Sequence, residues 1–299
     1  MQTYNNRLLK IIGRPHREKD VIDTLNAIRD AKYDNYSLDL IYGIPSQTLD
    51  ELRDDIRRAI DTGATHISAF KLEIIPMTAM HIRAAIGDIP RSPDPEFIQE
   101  MDALLREEMS AAGLVEYGVF NFVKPGYESI HNDIAFGAPQ DSYIGFGNSS
   151  YSCINSHIFT NHAVIEDYVD AVESTGRAIS KAKYVTALEH MSRFFVLGLK
   201  FLSVKRSDFI AQFGIDPHTI FGEILDSLVA RDLLIETDDG WALTVLGRHY
   251  VNNVCKEFYV GDSIGHRQHV EFVPTLTADS VLHLTKKAMK LNPEAELAE

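Results

Sequence analysis

The sequence predicts an α/β protein in which a sheet of the (β/α) type is followed by a smaller, mainly helical domain with a winged-helix-like end. The first part is predicted by apolar runs of strand length that alternate with amphipathic helices whose beginnings carry capping residues. The second part is predicted because helical periodicity dominates beyond about residue 160 and then gives way to two short strands.

The alternation begins with a helix and a buried strand. Apolar residues recur at helical spacing within residues 17–31, and the apolar run 36–42 has the length of a strand. Thr48 and Glu51 have the spacing of a capping box, which begins a helix, and Gly63 follows where that helix would end. These residues therefore predict the order helix, strand, helix.

A second strand and two further elements continue the pattern. Residues 65–72 form the second strand-like run, and Asp94 followed by Pro95 begins an amphipathic helix that ends before Gly113. A further strand begins at Leu114. Strands that alternate with capped helices indicate βαβ units and a parallel sheet, of which a (β/α) barrel is one closed form.

The second part contains the outline of a winged helix. An apolar-rich helix covers residues 184–199, and the segments 207–213 and 218–231 form a helix–turn–helix pair around a Gly-Ile-Asp-Pro break. Two short strands follow at 233–236 and 241–244, with an Asp-Asp-Gly turn between them. A winged helix often binds DNA, so the charge of this segment has to be considered.

The charge argues against nucleic acid as a partner. The 299 residues carry 29 Lys and Arg against 43 Asp and Glu, a formal net charge of −14. Between residues 184 and 258 there are seven basic and ten acidic residues, so we expect a packing or substrate-covering module and not a DNA reader. No apolar run reaches the ~18 residues of a membrane span, and the first six residues are too polar for a secretory signal. We therefore expect a cytoplasmic protein.

Two polar segments near the beginning of the chain could bind a ligand. Arg14 offers a planar fork suited to a carboxylate, and Gln2 offers both a donor and an acceptor. An ordinary solvated helix end explains these two residues equally well. Asp39 lies in an otherwise apolar strand, and a buried carboxylate usually needs a partner or a ligand, so here we favour a functional role.

A loop rich in small residues is the third candidate. Gly145 and Gly147 lie within residues 143–152, where glycine and serine let the backbone approach a flat or charged ligand closely. Alone, such a loop is weakly specific. His16 and His131 could act as acid–base groups or as ligands. They could equally be ordinary surface or capping histidines, and the sequence leaves both alternatives open.

Four segments of the chain carry a family resemblance, and they are Gln2–Asn5 with Gly13–His16, Asp39–Pro45, Lys124–Asn132 and Gly145–Ser152. In this order they resemble the later part of a radical SAM protein related to oxygen-independent coproporphyrinogen III oxidase and to the heme chaperone branch of that family. The resemblance runs from residue 2 to about residue 258. It implies a partial (β/α) radical SAM barrel, the C-terminal half, followed by the family's helical, winged-helix-like domain.

The resemblance implies a binding site for S-adenosylmethionine. Gln2, Arg14 and Asp39 match family residues that contact this cofactor, and Glu73 and Tyr151 align with further positions that line its site. In the family, a reduced [4Fe-4S] cluster cleaves S-adenosylmethionine to a 5′-deoxyadenosyl radical, which abstracts hydrogen from the substrate. In the oxidase, propionate groups of a porphyrinogen become vinyl groups. The implied small-molecule partner is therefore a tetrapyrrole, porphyrinogen or heme, and no catalytic residue is assigned.

The sequence departs from the family at the cluster. The family's Cys-x₃-Cys-x₂-Cys motif lies N-terminal of the segment that begins at Gln2, and Cys153 and Cys255 are too far apart to replace it. We therefore expect a chain without metal ligands for the cluster, without the first part of the barrel, and inactive by itself. Its open sheet would leave unpaired strand edges that favour self-association. Residues 133–136 also lack the aromatic Tyr-Trp pair that the heme chaperone branch usually carries.

The resemblance predicts three segments and a function. Residues 1–160 are expected to form the C-terminal part of the barrel, 161–260 the winged-helix-like domain, and 261–299 a tail with a weak helical pattern near 281–289. The predicted function is that of a radical SAM coproporphyrinogen III oxidase-like protein, which decarboxylates porphyrinogen propionates oxidatively. Two alternatives stay open, a non-catalytic heme-binding chaperone and an anaerobic heme-remodelling radical SAM enzyme.

Overall fold

The structure is a computed structural model that describes residues 1–136, 142–154 and 156–260. The predicted tail 261–299, with its helical pattern, lies outside these residues. The predicted segments 1–160 and 161–260 follow the family resemblance and stay a prediction.

The described residues form two compact units. The first unit contains residues 1–116 and 120–128, and the second contains residues 117–119 and 129–260. The division between them therefore lies near residue 128.

The first unit is built from helices and strands that alternate along the chain. The elements of residues 1–128 in chain order are α1 (Asn6–Ile11), α2 (Glu18–Asp30), β1 (Ser37–Tyr42), α3 (Leu49–Asp61), β2 (His66–Lys71), α4 (Ala79–Ala85), α5 (Pro95–Ala111), β3 (Val115–Gly118) and β4 (Asn121–Val123). The last two residues of β3 belong to the second unit. The predicted helices and strands before residue 112 are all present. Thr48 and Glu51 form the predicted capping box, since Thr48 Oγ1 accepts from Glu51 N–H at 3.2 Å and Glu51 Oε2 accepts from Thr48 N–H at 3.0 Å.

The sheet has the strand order β1-β2-β4-β3. Strands β1 and β2 are parallel, as predicted, with Asp39 opposite Ser68. Strand β4 runs antiparallel to β2, so the expectation of a continuing parallel sheet is wrong at this point. The reason is local, because Phe120 has a φ of 71° and the chain reverses there between two short strands.

The core of the first unit lies between one face of the sheet and two helices. Alternate residues of β1, namely Leu38, Leu40 and Tyr42, are buried together with Ile56 of α3 and Met101 of α5. Burying each such side chain contributes about 1.5–3 kcal/mol. Because side chains alternate along a strand, the same pattern leaves the other face of β1 available for polar residues.

The second unit combines a small sheet, a helix pair and a winged helix. Its elements are α6 (Ile130–Phe136), β5 (Tyr151–Ile154), β6 (His157–Asn161), α7 (Ile165–Thr175), β7 (Ile179–Tyr184), α8 (Ala187–Gly198), a 3₁₀ turn (Leu199–Phe201), β8 (Ser203–Lys205), α9 (Arg206–Phe213), α10 (His218–Ala230), β9 (Leu234–Thr237), β10 (Gly240–Leu243), α11 (Val245–His249) and α12 (Val251–Glu257). None of the helices that the structure describes is long and apolar enough to cross a membrane.

Strand β7 of an antiparallel sheet lies beyond residue 160, in the region that the sequence predicts to be largely helical. Strands β5, β6 and β7 pair in that order, and every residue of β7 is exposed. Such strands lack the alternation of apolar and polar residues that makes a half-buried strand recognisable. The helix expected from Tyr184 begins instead at Ala187, because Tyr184 ends β7 and Thr186 caps α8 by accepting from Glu189 N–H.

The winged helix is confirmed. Helices α9 and α10 are followed by the two predicted strands, and β8 completes a three-stranded sheet in the order β8-β10-β9. Its interior is aromatic, with the rings of Phe195 and Phe258 stacked 4.5 Å apart and Phe194 edge-on to Phe209 at 5.2 Å. Aromatic pairs of this kind add about 0.5–1.5 kcal/mol beyond the area they bury.

Candidate functional site

The first residues of the chain extend the sheet of the first unit. Ile41 N–H donates to the Gln2 carbonyl oxygen at 2.8 Å, so Gln2 lies beside β1 on the side that β2 does not occupy. The Gln2 side chain is half-buried, and its Oε1 atom is buried without a hydrogen-bond partner in the described structure. A buried acceptor without a donor costs about 1–3 kcal/mol, which is the usual sign of a missing ligand or water.

Helix α3 fixes the segment that carries Gln2. Asp55 Oδ1 accepts from Tyr4 N–H at 2.7 Å, and the Arg58 guanidinium lies 3.9 Å from the centre of the Tyr4 ring. Asn5 caps α1 and donates from its amide to Glu51 Oε1 at 2.8 Å. The Gln2–Asn5 segment is therefore held on two sides, by β1 and by α3.

Asp55 is a buried carboxyl group with one unsatisfied oxygen. Burial raises its pKa to about 6, although hydrogen bonds from Thr3 and from Tyr4 N–H act in the opposite direction. Asp55 Oδ2 is buried and has no partner among the described residues. The sequence does carry a signal for it, because Asp55 shares the buried face of α3 with Leu52 and Ile56, but sequence reasoning missed this residue.

Arg14 follows a turn that ends α1. Gly13 has a φ of 70°, and Arg14 N–H donates to the Leu9 carbonyl oxygen at 2.9 Å, which is the Schellman arrangement of a helix end. This turn leaves the Arg14 side chain exposed. Arg83 of α4 donates to the Ile11 carbonyl oxygen at 3.0 Å, so α4 packs beside the same turn.

His16, two residues beyond Arg14, is half-buried. Its Nε2 atom is buried without a partner in the part of the chain that the structure describes. A role for His16 as a ligand-facing group is therefore consistent with its environment, as it is for Gln2.

Asp39 lies on the polar face of β1. The expectation that it is buried is wrong, since Leu38 and Leu40 take the buried face and Asp39 points the other way and is exposed. His66 of β2, which lies opposite Ser37, is buried and is hydrogen-bonded to Ser37 Oγ at 3.0 Å. Burial lowers the pKa of His66, and the negative charge of Asp39 opposes that shift.

The ends of β1 and β2 meet at one edge of the sheet. Leu72 N–H donates to the Tyr42 carbonyl oxygen at 2.9 Å, and Glu73 lies exposed two residues after β2. Gly43 ends β1 with a φ of 73°, and a Cβ atom there would lie 2.7 Å from Ile98 Cδ1. The carboxyl ends of parallel strands are where α/β proteins place their ligands.

Tyr151 lies in the second unit, whereas the other four predicted cofactor residues lie in the first. It is exposed on β5, next to the loop that contains Gly145 and Gly147. Asn161 Nδ2 holds this loop by donating to the Gly147 carbonyl oxygen at 3.0 Å and to Ser150 Oγ at 2.9 Å. A Cβ atom on Gly145 would lie 2.3 Å from the Tyr151 carbonyl oxygen, so the loop needs this glycine for its own packing.

His131 lies at the beginning of α6, where its side chain is exposed. Its neighbour Asn132 donates from Nδ2 to the Tyr117 hydroxyl oxygen at 2.9 Å. This contact within the second unit gives Asn132 a structural partner.

The cysteines do not fit an iron–sulfur cluster. Cys153 and Cys255 are both free and buried, and burial raises the pKa of the Cys255 thiol to about 11, which disfavours the thiolate that a cluster requires. Cys255 Sγ donates to the Val196 carbonyl oxygen at 3.3 Å. Within residues 1–136, 142–154 and 156–260, no group of three or more His, Cys, Asp or Glu side chains could hold a metal ion.

Comparisons with known proteins agree with the sequence motifs. The family model of the radical SAM superfamily matches residues 1–59. The chain is 30% identical over 259 residues to the heme chaperone HemW of Bacillus subtilis, a match that covers 86% of this chain and 68% of the chaperone. It is 26% identical over 264 residues to HemW of Escherichia coli K12, covering 86% and 66%. It is 23% identical over 279 residues to oxygen-independent coproporphyrinogen III oxidase of Synechocystis, covering 86% and 59%.

A solved structure shares the fold. Coproporphyrinogen III oxidase (HemN) from Escherichia coli, described as a radical SAM enzyme, matches with a TM-score of 0.69 at 21% identity. The match covers 86% of this chain and 62% of the oxidase chain. The chain thus spans about two thirds of the length of its heme chaperone relatives and somewhat less of the oxidases.

Proposed function

This chain belongs to the radical SAM family that includes the heme chaperone HemW and oxygen-independent coproporphyrinogen III oxidase, and we propose that it binds S-adenosylmethionine and a tetrapyrrole. The proposed cofactor contacts of the first unit are Gln2, Arg14, Asp39 and Glu73, and a contact by Tyr151, which lies in the second unit, stays a prediction from the family resemblance. Because the described cysteines do not fit an iron–sulfur cluster, we confine the proposal to binding.

One observation supports the cofactor site most strongly. Among the described residues, four buried polar atoms within residues 1–59 have no hydrogen-bond partner, and they are Gln2 Oε1, His16 Nε2, Gln47 Nε2 and Asp55 Oδ2. The same 59 residues are those that the radical SAM family model matches. A ligand or ordered water would satisfy such atoms, and Gln2 Oε1 is the one of the four that belongs to a proposed cofactor contact.

Three of the proposed contacts have side-chain chemistry that suits a part of the cofactor. The Arg14 guanidinium can form a paired hydrogen bond with the methionyl carboxylate. Asp39 can accept hydrogen bonds from ribose hydroxyls or from an amino group, and Gln2 Oε1 can accept from an N–H donor. Exposed Arg14 and Asp39 are free to reorganise on binding, whereas Gln2 is already held in place by β1 and α3.

For the tetrapyrrole, we propose heme delivery of the kind that the HemW name describes. Heme binding requires an apolar surface and axial or propionate contacts, and it does not require a cluster on this chain. Oxidative decarboxylation of a porphyrinogen is the second candidate, supported by the oxidase relative, and it would require cluster ligands from outside the described residues.

Calorimetric titration of the full chain with S-adenosylmethionine tests the cofactor site. We expect Asp39→Ala to weaken binding about 10–100-fold, because it removes hydrogen bonds to a charged acceptor worth about 1.5–3 kcal/mol. The matched control is Asp23→Ala, since Asp23 is an exposed aspartate on α2 whose partner is Lys19 at 3.7 Å. Equal affinity in the two variants would exclude Asp39 from the site.

Heme titration of the same variants separates the two ligands. We expect heme to change its visible absorption on binding to wild type and to Asp39→Ala alike, because Asp39 is proposed to contact only S-adenosylmethionine. Failure of all variants to bind heme would refute heme delivery. Conversion of coproporphyrinogen III propionates to vinyl groups, followed by mass spectrometry, would establish the second candidate instead.

A further inference from the structure

Helix α7 of the second unit carries an apolar stripe that no described residue covers. Ile165, Val169 and Val172 follow the i, i+4, i+7 spacing that places side chains on one face of a helix, and they are 62%, 41% and 40% exposed. Tyr168 anchors the helix elsewhere, because its hydroxyl oxygen accepts from Gly147 N–H at 3.2 Å. The three side chains, the α7 stripe, are therefore exposed on a helix that is itself held in place.

The surroundings of the α7 stripe are strongly acidic. Helix α7 contains no Lys, Arg or His, and its acidic residues are Glu166, Asp167, Asp170 and Glu173. All four are exposed. An occupant of the stripe should therefore be apolar on the contacting side and carry positive charges beside it.

The chain itself contains one segment with this chemistry, beyond the described residues. In residues 281–291, apolar side chains recur at helical spacing, and they are Val281, Leu284, Ala288 and Leu291. The same eleven residues contain no acid but three lysines, Lys286, Lys287 and Lys290. The segment is thus a basic amphipathic sequence, complementary to α7 in both apolar pattern and charge.

The connecting chain is long enough for this contact. Helix α12 and helix α7 belong to the same unit, and twenty residues, 261–280, separate the last described residue from Val281. Extended, that connection spans about 70 Å, whereas a unit of this size has a radius of gyration of about 14 Å. A tethered segment also has an effective concentration in the millimolar range, which favours it over a second copy of the chain.

We propose that residues 281–291 dock on the α7 stripe of the same chain, with their lysines beside the four acidic residues of α7. The contact covers a surface that would otherwise present three large apolar side chains to solvent. It is independent of the cofactor site, which the proposal leaves unchanged.

Hydrogen exchange of the full chain tests the contact. We expect amides of residues 165–175 to exchange about tenfold more slowly in the full chain than in a chain that ends at residue 276. Amides of α10 serve as the internal control and should exchange equally in both. Equal exchange of 165–175 in the two chains would overturn the proposal.

Charge variants of the full chain test the same contact without shortening it. In the triple variant Lys286→Glu, Lys287→Glu, Lys290→Glu, the amides of residues 165–175 should lose their protection from hydrogen exchange. In the matched control with arginine at the same three positions, these amides should keep it. Combining the glutamates with Glu166→Lys, Asp170→Lys and Glu173→Lys should restore protection, since the pairs are then reversed. Loss of protection in the arginine control, or no recovery in the reversed combination, would contradict docking by complementary charge.

Disulfide formation identifies the occupant. Val169→Cys combined with Met289→Cys should form a disulfide within one chain, and the natural cysteines should not compete because both are buried. A disulfide that forms only between chains would assign the stripe to a second copy. Protection of α7 that appears only with vesicles of anionic phospholipid would assign the basic segment to a membrane surface, and either result would overturn the proposal.

Discussion

In the first unit, four buried polar atoms without hydrogen-bond partners lie within residues 1–59, whereas in the second unit His190 Nε2 and Arg193 Nε are such atoms on α8 and the interior of the winged helix is filled with aromatic rings. The aromatic interior gains stability from packing that is complete within the chain. The unsatisfied polar atoms cost stability until another molecule satisfies them. Because the radical SAM family model matches residues 1–59, we expect the binding chemistry in the first unit, while aromatic packing stabilises the winged helix.

The largest expected effect concerns the winged helix. Phe195→Ala removes a fully buried ring that contacts Phe194, Phe209 and Phe258, and it should lower the free energy of unfolding by about 3–5 kcal/mol. Phe146→Ala is the matched control, since Phe146 is 87% exposed and its loss should change stability by less than about 0.5 kcal/mol. Urea denaturation measures both, and similar values for the two variants would show that the aromatic interior is not the source of stability.

The next effect concerns Asp55 in the first unit and depends on pH. The folded pKa of Asp55 is raised to about 6 by burial, so its contribution to stability is complete below the unfolded pKa of about 3.9 and is lost as the pH rises through 6. Between pH 4 and pH 7 we expect wild type to lose about 2–3 kcal/mol that Asp55→Asn does not lose. Asp23→Asn, at an exposed aspartate of α2 that does not act on Asp55, is the control and should keep the wild-type profile. Parallel profiles for wild type and Asp55→Asn would contradict the raised pKa.

The third effect concerns the turn after β1. Gly43→Ala combines a φ of 73° with a contact of 2.7 Å between the new Cβ and Ile98 Cδ1, and it should cost about 1–2 kcal/mol. Gly63→Ala has a similar φ of 84° but no atom within 4 Å, so thermal denaturation should show a smaller cost. If Gly63→Ala destabilises the protein as much as Gly43→Ala, close packing at the end of β1 does not contribute to the stability loss of Gly43→Ala.

Local chemistry made much of the fold predictable from the sequence. Thr48 with Glu51 begins α3, Asp94 with Pro95 begins α5, and the apolar periodicity of residues 218–231 predicts α10, because each signal acts over only a few residues. The reversal at Phe120 was not predictable, since a positive φ at a phenylalanine is imposed by the surrounding structure.

The sequence motifs propose the residues of the candidate site, whereas the environment of those residues required the structure. The motifs select Gln2, Arg14 and Asp39, but the exposure of Asp39 depends on which face of β1 packs on the helices. The role of Asp55 depends on a contact with Tyr4, 51 residues away in sequence. Strand β7 was missed because all of its residues are exposed, so it carries no alternation of apolar and polar residues.

The most direct measurement of whether the first unit carries the binding chemistry is hydrogen exchange of the full chain with and without S-adenosylmethionine. We predict slower exchange of amides within residues 1–16 and 39–47 when the cofactor is present, and unchanged exchange across residues 187–258. Protection confined to residues 187–258, or no change anywhere at saturating cofactor, would contradict the assignment of the binding site to the first unit.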